Sequence, residues 1–231
     1  MIRAIVTDIE GTTTALSFVK DELFPYARAR IADFVRKRSD DPEVVRALDQ
    51  ARTLMAGERS VPAQDIDLEA VIGQLEGWID EDRKITPLKQ LQGLIWEQGY
   101  RDGELHGHLY SDADAALRRW HEQGIGLYVY SSGSIHAQKL LFGHTTSGDL
   151  TPLFSGYFDT TTGPKQAADS YRHILSVIGL PAEEVLFLSD IVAELDAARE
   201  AGMQTCQLVR DGELEKAPAA HRQARDFSDL G

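Results

Sequence analysis

Short apolar runs rich in β-branched and aromatic residues recur along the chain, and each stops abruptly at polar residues or glycine. Ile2 to Thr7 is the first, ending at Asp8-Ile9-Glu10-Gly11. Leu127 to Tyr130 ends at Ser131-Ser132-Gly133, Val185 to Leu188 ends at Ser189-Asp190, and a fourth run covers about Thr205 to Val209. Runs of this length bounded by turn residues predict buried strands. Between them the apolar spacing becomes helical. Ser111-Asp112-Ala113-Asp114 reads as a capping-box variant that opens a helix with Ala113, Leu117 and Trp120 on one face and Gly124 at its end. Ser170 to Ile178, stopped by Gly179 and Pro181, and Ala193 to Ala201, stopped by Gly202, are predicted helices of the same kind. Strands alternating with helices give an α/β class with a mostly parallel sheet. Right-handed crossovers then bring every strand's C-terminal end to one edge.

Residues 14–106 carry a different pattern, with helix formers throughout and no convincing strand. Phe18 to Arg38 reads as a helical stretch interrupted near Pro25, and Asp41 to Met55 as a second with Pro42 at its first position. Ile66 to Asp82 and Leu88 to Gln98 complete a predicted four-helix set, with a loop at Gly57 to Gln64. The reading is an α/β core at residues 1–13 and 107–231 that carries a helical cap at 14–106.

Composition narrows the possible partners. The chain has 231 residues, a formal net charge of −13 and 42% hydrophobic residues, which is the profile of a folded globular protein. Such a charge, with no basic run to offset it, argues against a nucleic-acid partner. No apolar stretch approaches the roughly 20 residues of a membrane span. Asp8 and Glu10 directly follow the N-terminal apolar run, which excludes a signal peptide, so the cytoplasm is the expected compartment. The lone cysteine, Cys206, forms no internal disulfide and lies in a predicted strand, where an inert core role is expected.

The polar residues that end the strands carry the candidate chemistry. Asp8 and Glu10, Ser131 and Asp190 all fall at the same predicted sheet edge, and Lys165 follows Gly163-Pro164 between the last two. Each has a plain structural explanation when taken alone: a turn residue, a helix cap, a surface lysine. Together, carboxylates, a hydroxyl and an ammonium at one edge suit phosphoryl chemistry with magnesium, which takes hard oxygen ligands and keeps several waters. A carboxylate such as Asp8 can attack phosphorus, while Ser131 and Lys165 hold the phosphoryl oxygens, aided by backbone N–H groups near Ser132 and Gly133. His106-Gly107-His108 lacks a third ligand and reads as a hinge. Ser131 has Val129 rather than Gly two residues before it, which weakens a serine-hydrolase reading.

These residues resemble the haloacid-dehalogenase superfamily, and more closely its enolase-phosphatase (acireductone synthase) family. The resemblance runs through Asp8-Ile9-Glu10-Gly11-Thr12-Thr13-Thr14, Phe18-Val19-Lys20-Asp21, Leu23-Phe24-Pro25-Tyr26, Asp82-Arg83-Lys84 and Leu88-Lys89-Gln90-Leu91-Gln92-Gly93. It continues in Tyr130-Ser131-Ser132-Gly133-Ser134, on through Ala137 to His144, and in Phe158-Asp159-Thr160, Ser170-Tyr171-Arg172 and Phe227-Ser228. It implies a Rossmann-like sheet with an inserted helical cap, and a reaction on 2,3-diketo-5-methylthiopentyl-1-phosphate in methionine salvage. Enolisation comes first; the phosphate is then removed through an aspartyl-phosphate to give the acireductone. By similarity, Asp8 is nucleophile and magnesium ligand, Asp190 a second ligand, and Glu10 serves the metal through its side chain or its backbone carbonyl. Ser131, Ser132 and Lys165 bind the substrate phosphate, with one Mg2+ per chain and a monomer as the implied state. Most superfamily phosphatases carry Asp where this chain has Glu10. The residue at that position normally makes the proton transfers of phosphate release, and the longer arm of Glu10 suggests that it also serves as, or positions, the base for the enolisation.

A closing helical lid would control water at an aspartyl-phosphate. Within it Lys20, Lys84 and Lys89 are expected at the surface, and Phe18, Leu91 and Trp96 as core rather than as a slot for the methylthio tail. Three other readings remain open at this stage: a superfamily phosphatase with another substrate, a non-catalytic phosphometabolite-binding protein, and a haloacid dehalogenase.

Overall fold

The computed structural model describes residues 1–211, 214 and 220–230. Gly231, the last residue of the expected core, lies outside them. Among the described residues six parallel strands form one sheet: β1 (Ala4–Thr7), β2 (Gly126–Tyr130), β3 (Gly156–Phe158), β4 (Val185–Ser189), β5 (Gln204–Leu208) and β6 (Arg222–Ala224), ordered β3-β2-β1-β4-β5-β6. The order reverses beside β1, and in open parallel sheets ligands bind at such a switch point, outside the strands' C-terminal ends. β1 and β4 are buried along their whole length, as strands covered by helices on both faces must be.

The chain divides into two compact units, residues 1–18 with 106–231, and residues 19–105. The second unit holds four helices: α1 (Phe24–Lys37), α2 (Pro42–Arg59), α3 (Leu68–Asp80) and α4 (Thr86–Arg101). A π-helical turn, Phe18–Leu23, leads into α1, and Pro25 stands in that helix's first turn, where its missing N–H costs nothing. Asp41 caps α2 by accepting from the Glu43 N–H, and Asp67 caps α3 through Ala70. Ile31, Val44, Met55, Leu75, Trp78 and Leu91 close this unit's own core. The sheet unit adds α5 (Ser111–Glu122), α6 (Ile135–Gly143), α7 (Ala168–Ile178) and α8 (Val192–Glu200). Among the described residues no helix is long and apolar enough to cross a membrane.

Several local expectations change. α2 runs through Gly57 to Arg59, so the loop begins only at Ser60, which takes the left-handed conformation that ends the helix. Ser111 does not cap α5. Tyr110 occupies that position without a side-chain bond, because Asp112 is drawn to Arg210 and to the Phe227 N–H instead. β3 and β6 had no predicted counterpart; each has only three residues.

His106-Gly107-His108 is anchored within the sheet unit. The Gly107 N–H donates to the His144 carbonyl, and its α-carbon lies so close to the Leu141 carbonyl oxygen that any Cβ would overlap it. His108 Nδ1 accepts from the Ala15 N–H at 3.2 Å, and its ring stacks on Phe18.

Two glycines therefore respond oppositely to alanine. Gly107→Ala should lose about 1–3 kcal/mol by overpacking against backbone. Gly73→Ala should gain about 0.5–1 kcal/mol, because Gly73 faces open space on α3. Urea denaturation followed by circular dichroism checks both, and equal signs would contradict the packing described.

Candidate active site

Register alone brings the candidate residues together. Thr7 pairs with Val129 on one side and Leu188 on the other. Asp8 therefore lies opposite Tyr130 and Ser189, with Ser131 and Asp190 one position further along the neighbouring strands. Parallel neighbours are about 4.8 Å apart, so three strand ends present Ser131, Asp8 and Asp190 side by side. The turn after Asp8 is tight, since the Ile9 carbonyl accepts from the N–H groups of Thr12, Thr13 and Thr14. Gly11 completes it at φ 71°, and a Cβ there would collide with the Asp190 carboxylate. Only glycine combines that backbone angle with that close approach.

Lys165 enters from the β3–α7 connection. Its Nζ lies 2.7 Å from Asp8 Oδ1 and 2.6 Å from Glu194 Oε2, and all three side chains are about nine-tenths buried. Burial alone would push the ammonium's pKa down, but Asp8 and Glu194 outweigh it, so Lys165 stays charged with its pKa above the ordinary lysine value. Three hydroxyls fix the loop that carries it. Tyr130 donates to the Gly163 carbonyl at 2.9 Å, Ser170 to Pro164 at 2.8 Å and Tyr171 to Lys165 at 2.7 Å. Gly163 sits at φ 141° against the Ser170 hydroxyl. Glu194 is held in turn by the Ser189 hydroxyl at 3.0 Å.

Asp190 is the ill-compensated member. Its Oδ1 is buried with no hydrogen-bond partner among the described residues. Desolvation, then the charge of Asp8, pushes its pKa up to about 6. Three carboxylates thus face one ammonium, a deficit of two positive charges beside an orphaned carboxylate oxygen. That arrangement fits a divalent cation with oxygen preference. Among the described residues, however, no three His, Cys, Asp or Glu side chains group closely enough to hold a metal.

At the end of β2, Ser131 is buried and its Oγ accepts from the Gly133 N–H at 3.2 Å, which leaves the hydroxyl proton free to be donated. Ser132 is half-buried beside it. The expected free donors at the helix start are largely taken: the Gly133 N–H by Ser131, the Ile135 N–H by Asp159 and the Ala137 N–H by Ser134. Ser134, not Ser131 or Ser132, is the cap of α6. In the helical unit Leu91 is core and Lys20 and Lys84 are exposed, while Lys89 and Trp96 are half-buried. Phe18 is buried within the sheet unit.

Arg210 was not apparent from sequence. Its Nε and Nη2 both donate to the Thr12 carbonyl, at 3.0 and 2.6 Å, and its Nη1 pairs with Asp112 at 2.7 Å. Its guanidinium lies over the rings of Tyr110 and Phe227. Arg210 thereby ties down the turn that follows Asp8.

Over residues 2–202 the chain matches the haloacid dehalogenase-like hydrolase family. It is 60% identical over 227 residues to enolase-phosphatase E1 of Methylococcus capsulatus, covering 98% of this chain and 96% of that protein. Enolase-phosphatase E1 of Thioalkalivibrio sulfidiphilus is 57% identical over the full length of both chains. Among solved structures, the UTR4 protein of Saccharomyces cerevisiae superposes with a TM-score of 0.81 at 33% identity, covering 98% of this chain and 99% of that one. A doubly wound sheet with carboxylates at its switch point belongs with the hydrolases of that first family. The chain belongs to the haloacid dehalogenase-like hydrolases and, within them, to the enolase-phosphatase E1 family.

The buried trio gives a stability prediction. Lys165→Met should cost roughly 3–5 kcal/mol, because it strands two buried carboxylates. Adding Glu194→Gln in that background should recover part of the loss. Urea titration of the three variants measures this coupling, and strict additivity would contradict a shared ammonium.

Proposed function

We infer that this chain is the enolase-phosphatase of methionine salvage, converting 2,3-diketo-5-methylthiopentyl-1-phosphate to the acireductone 1,2-dihydroxy-3-keto-5-methylthiopentene and phosphate. The observation that carries the reading is the buried Lys165 ammonium shared by Asp8 and Glu194, with Asp190 one register position away. Near-full-length identity to the E1 relatives supports it.

The roles are proposed from the family resemblance together with the placement of the residues. A base removes the proton on the carbon bearing the phosphate ester, and the adjacent carbonyl becomes the enol. Glu10, on the turn two residues beyond Asp8, is our proposal for that base. Glu10 passes that proton to the former carbonyl oxygen, which completes the enol, and is reprotonated from solvent; Asp8 then attacks phosphorus, the bond from phosphorus to the ester oxygen breaks, and that ester oxygen takes the proton from Glu10. Water, deprotonated by Glu10, next attacks the phosphorus of the aspartyl-phosphate, freeing phosphate and regenerating Asp8. Lys165 balances charge on the phosphoryl oxygens, and the Ser131 hydroxyl and Ser132 hold the phosphate. The carboxylates of Asp8 and Asp190 and the main-chain carbonyl of Glu10 would hold one Mg2+. Bound there, Mg2+ would neutralise phosphate charge that otherwise repels the Asp8 carboxylate.

The helical unit at residues 19–105 is proposed to serve as the cap that limits water during turnover. A monomer is proposed, as the family resemblance implies. The single buried Cys206, its thiol pushed up to about 11 by burial, suits a reducing cytoplasm.

The test follows the purified protein with the diketo phosphate ester, with and without Mg2+, recording phosphate release and enol absorbance together. Both signals should appear, with release dependent on Mg2+. Asp8→Asn should lower phosphate release by about 10⁴-fold or more, and Glu10→Gln should slow the enol signal by about 10²–10⁴-fold. Substantial release by Asp8→Asn removes Asp8 as nucleophile. An unchanged enol signal in Glu10→Gln removes Glu10 as base.

A further inference from the structure

Gln138, on the first turn of α6, is a buried polar side chain with 1% of its surface exposed. Its amide nitrogen donates to two main-chain carbonyls at once: Gly133 at 2.8 Å and Phe158 at 2.9 Å. Two carbonyl acceptors force the nitrogen to that side, because the amide oxygen would be repelled by both. The amide oxygen consequently points elsewhere and has no partner among the described residues. A buried acceptor left unsatisfied lowers stability. The arrangement is not the cheapest way to fill that space, and what it accomplishes is to grip a loop.

That loop is the one that ends β2. The Phe158 carbonyl receives both the Gln138 amide and the Ser131 N–H, the latter at 3.2 Å. The Gly133 carbonyl receives the other amide bond, while the Gly133 N–H donates back to Ser131 Oγ. Asp159 completes the frame by accepting from the Ile135 N–H with one oxygen and from Thr161 with the other. Gln138 therefore pins the carbonyl of Gly133, the residue whose N–H bonds the acceptor side of the Ser131 hydroxyl, and with it the direction in which that hydroxyl donates.

We propose that Gln138 is a positioning residue for phosphate binding: by clamping the Gly133 and Phe158 carbonyls it holds the Ser131 hydroxyl pointing at the substrate phosphate. This rests on the reading of Ser131 as a phosphate ligand. It concerns the substrate's phosphate and not the metal, since Gln138 bonds to β2 and β3 ends and to neither Asp8 nor Asp190.

The test is orthophosphate affinity, measured by isothermal titration calorimetry on the full chain with Mg2+ present. KM and kcat for the diketo phosphate ester and the thermal midpoint are measured alongside. Gln138→Met removes both donors and also the orphaned oxygen. It should weaken orthophosphate binding about tenfold and raise KM more than it lowers kcat, with the Mg2+ concentration for half-maximal activity unchanged. Gln138→Asn keeps the amide on a shorter arm, and should show a smaller loss in the same direction if Gln138→Met fails to fold. Orthophosphate affinity equal to that of the parent in a folded Gln138 variant overturns the proposal. Ser131→Ala separates the two layers. If it weakens phosphate binding while the Gln138 variants do not, only the positioning role falls. If it has no effect, the phosphate reading of Ser131 falls and the proposal falls with it.

Discussion

One ammonium shared by two buried carboxylates is the constraint around which the catalytic edge is arranged. Lys165 reaches Asp8 and Glu194 at ion-pair distance with almost no water between. Taking those charges out of water is costly, and only close pairing with saturated hydrogen bonding offsets it. Much nearby structure is recruited to that geometry. Tyr130, Ser170 and Tyr171 fix the backbone on either side of Lys165, Ser189 fixes Glu194, and the burial of Tyr130, Tyr171 and Phe187 around them builds one face of the sheet core. The pairing leaves Asp190 out and the edge two positive charges short, a deficit that a divalent cation can offset.

The sheet turns this local balance into a reactive constellation. β1 sits between β2 and β4, so Asp8, just beyond its strand end, has the Ser131 hydroxyl one position past its neighbour on one side and the Asp190 carboxylate one position past its neighbour on the other. A parallel sheet fixes that adjacency through backbone pairing, independent of side-chain detail. The connection from β1 to β2 spans more than a hundred residues, and an insertion there lengthens a loop at the reactive edge without disturbing any strand pair.

Much of this was legible before any coordinates. The strand ends at Asp8, Ser131 and Asp190 were marked by apolar runs that stop at polar residues, and the register of β1, β2 and β4 placed them as that pattern implies. The elements that went unseen share a physical cause. β3 and β6 are three-residue strands at the sheet's flanks, too short for a periodic signal. Ser111 offered the right chemistry for a cap, but the tertiary demand on Asp112 set the helix start elsewhere. Glycine at Gly57 suggested a loop, yet α2 tolerates it with no neighbour to meet. Gln138 grips the Phe158 carbonyl and Arg210 the Thr12 carbonyl, both well removed in sequence, and nothing in the local pattern of either residue announces a distant carbonyl.

Arg210 carries a consequence for how the protein comes into being. It stands 198 residues after the Thr12 carbonyl that it grips. At a synthesis rate of about 5–20 residues per second, the turn behind Asp8 waits roughly 10–40 s for its clasp to emerge from the ribosome. β1 waits a similar time for β4, its neighbour on one side. Asp8, among the first residues made, is thus among the last to be set in place, and a prematurely terminated chain holds its carboxylate without the turn, neighbouring strand and ammonium that frame it.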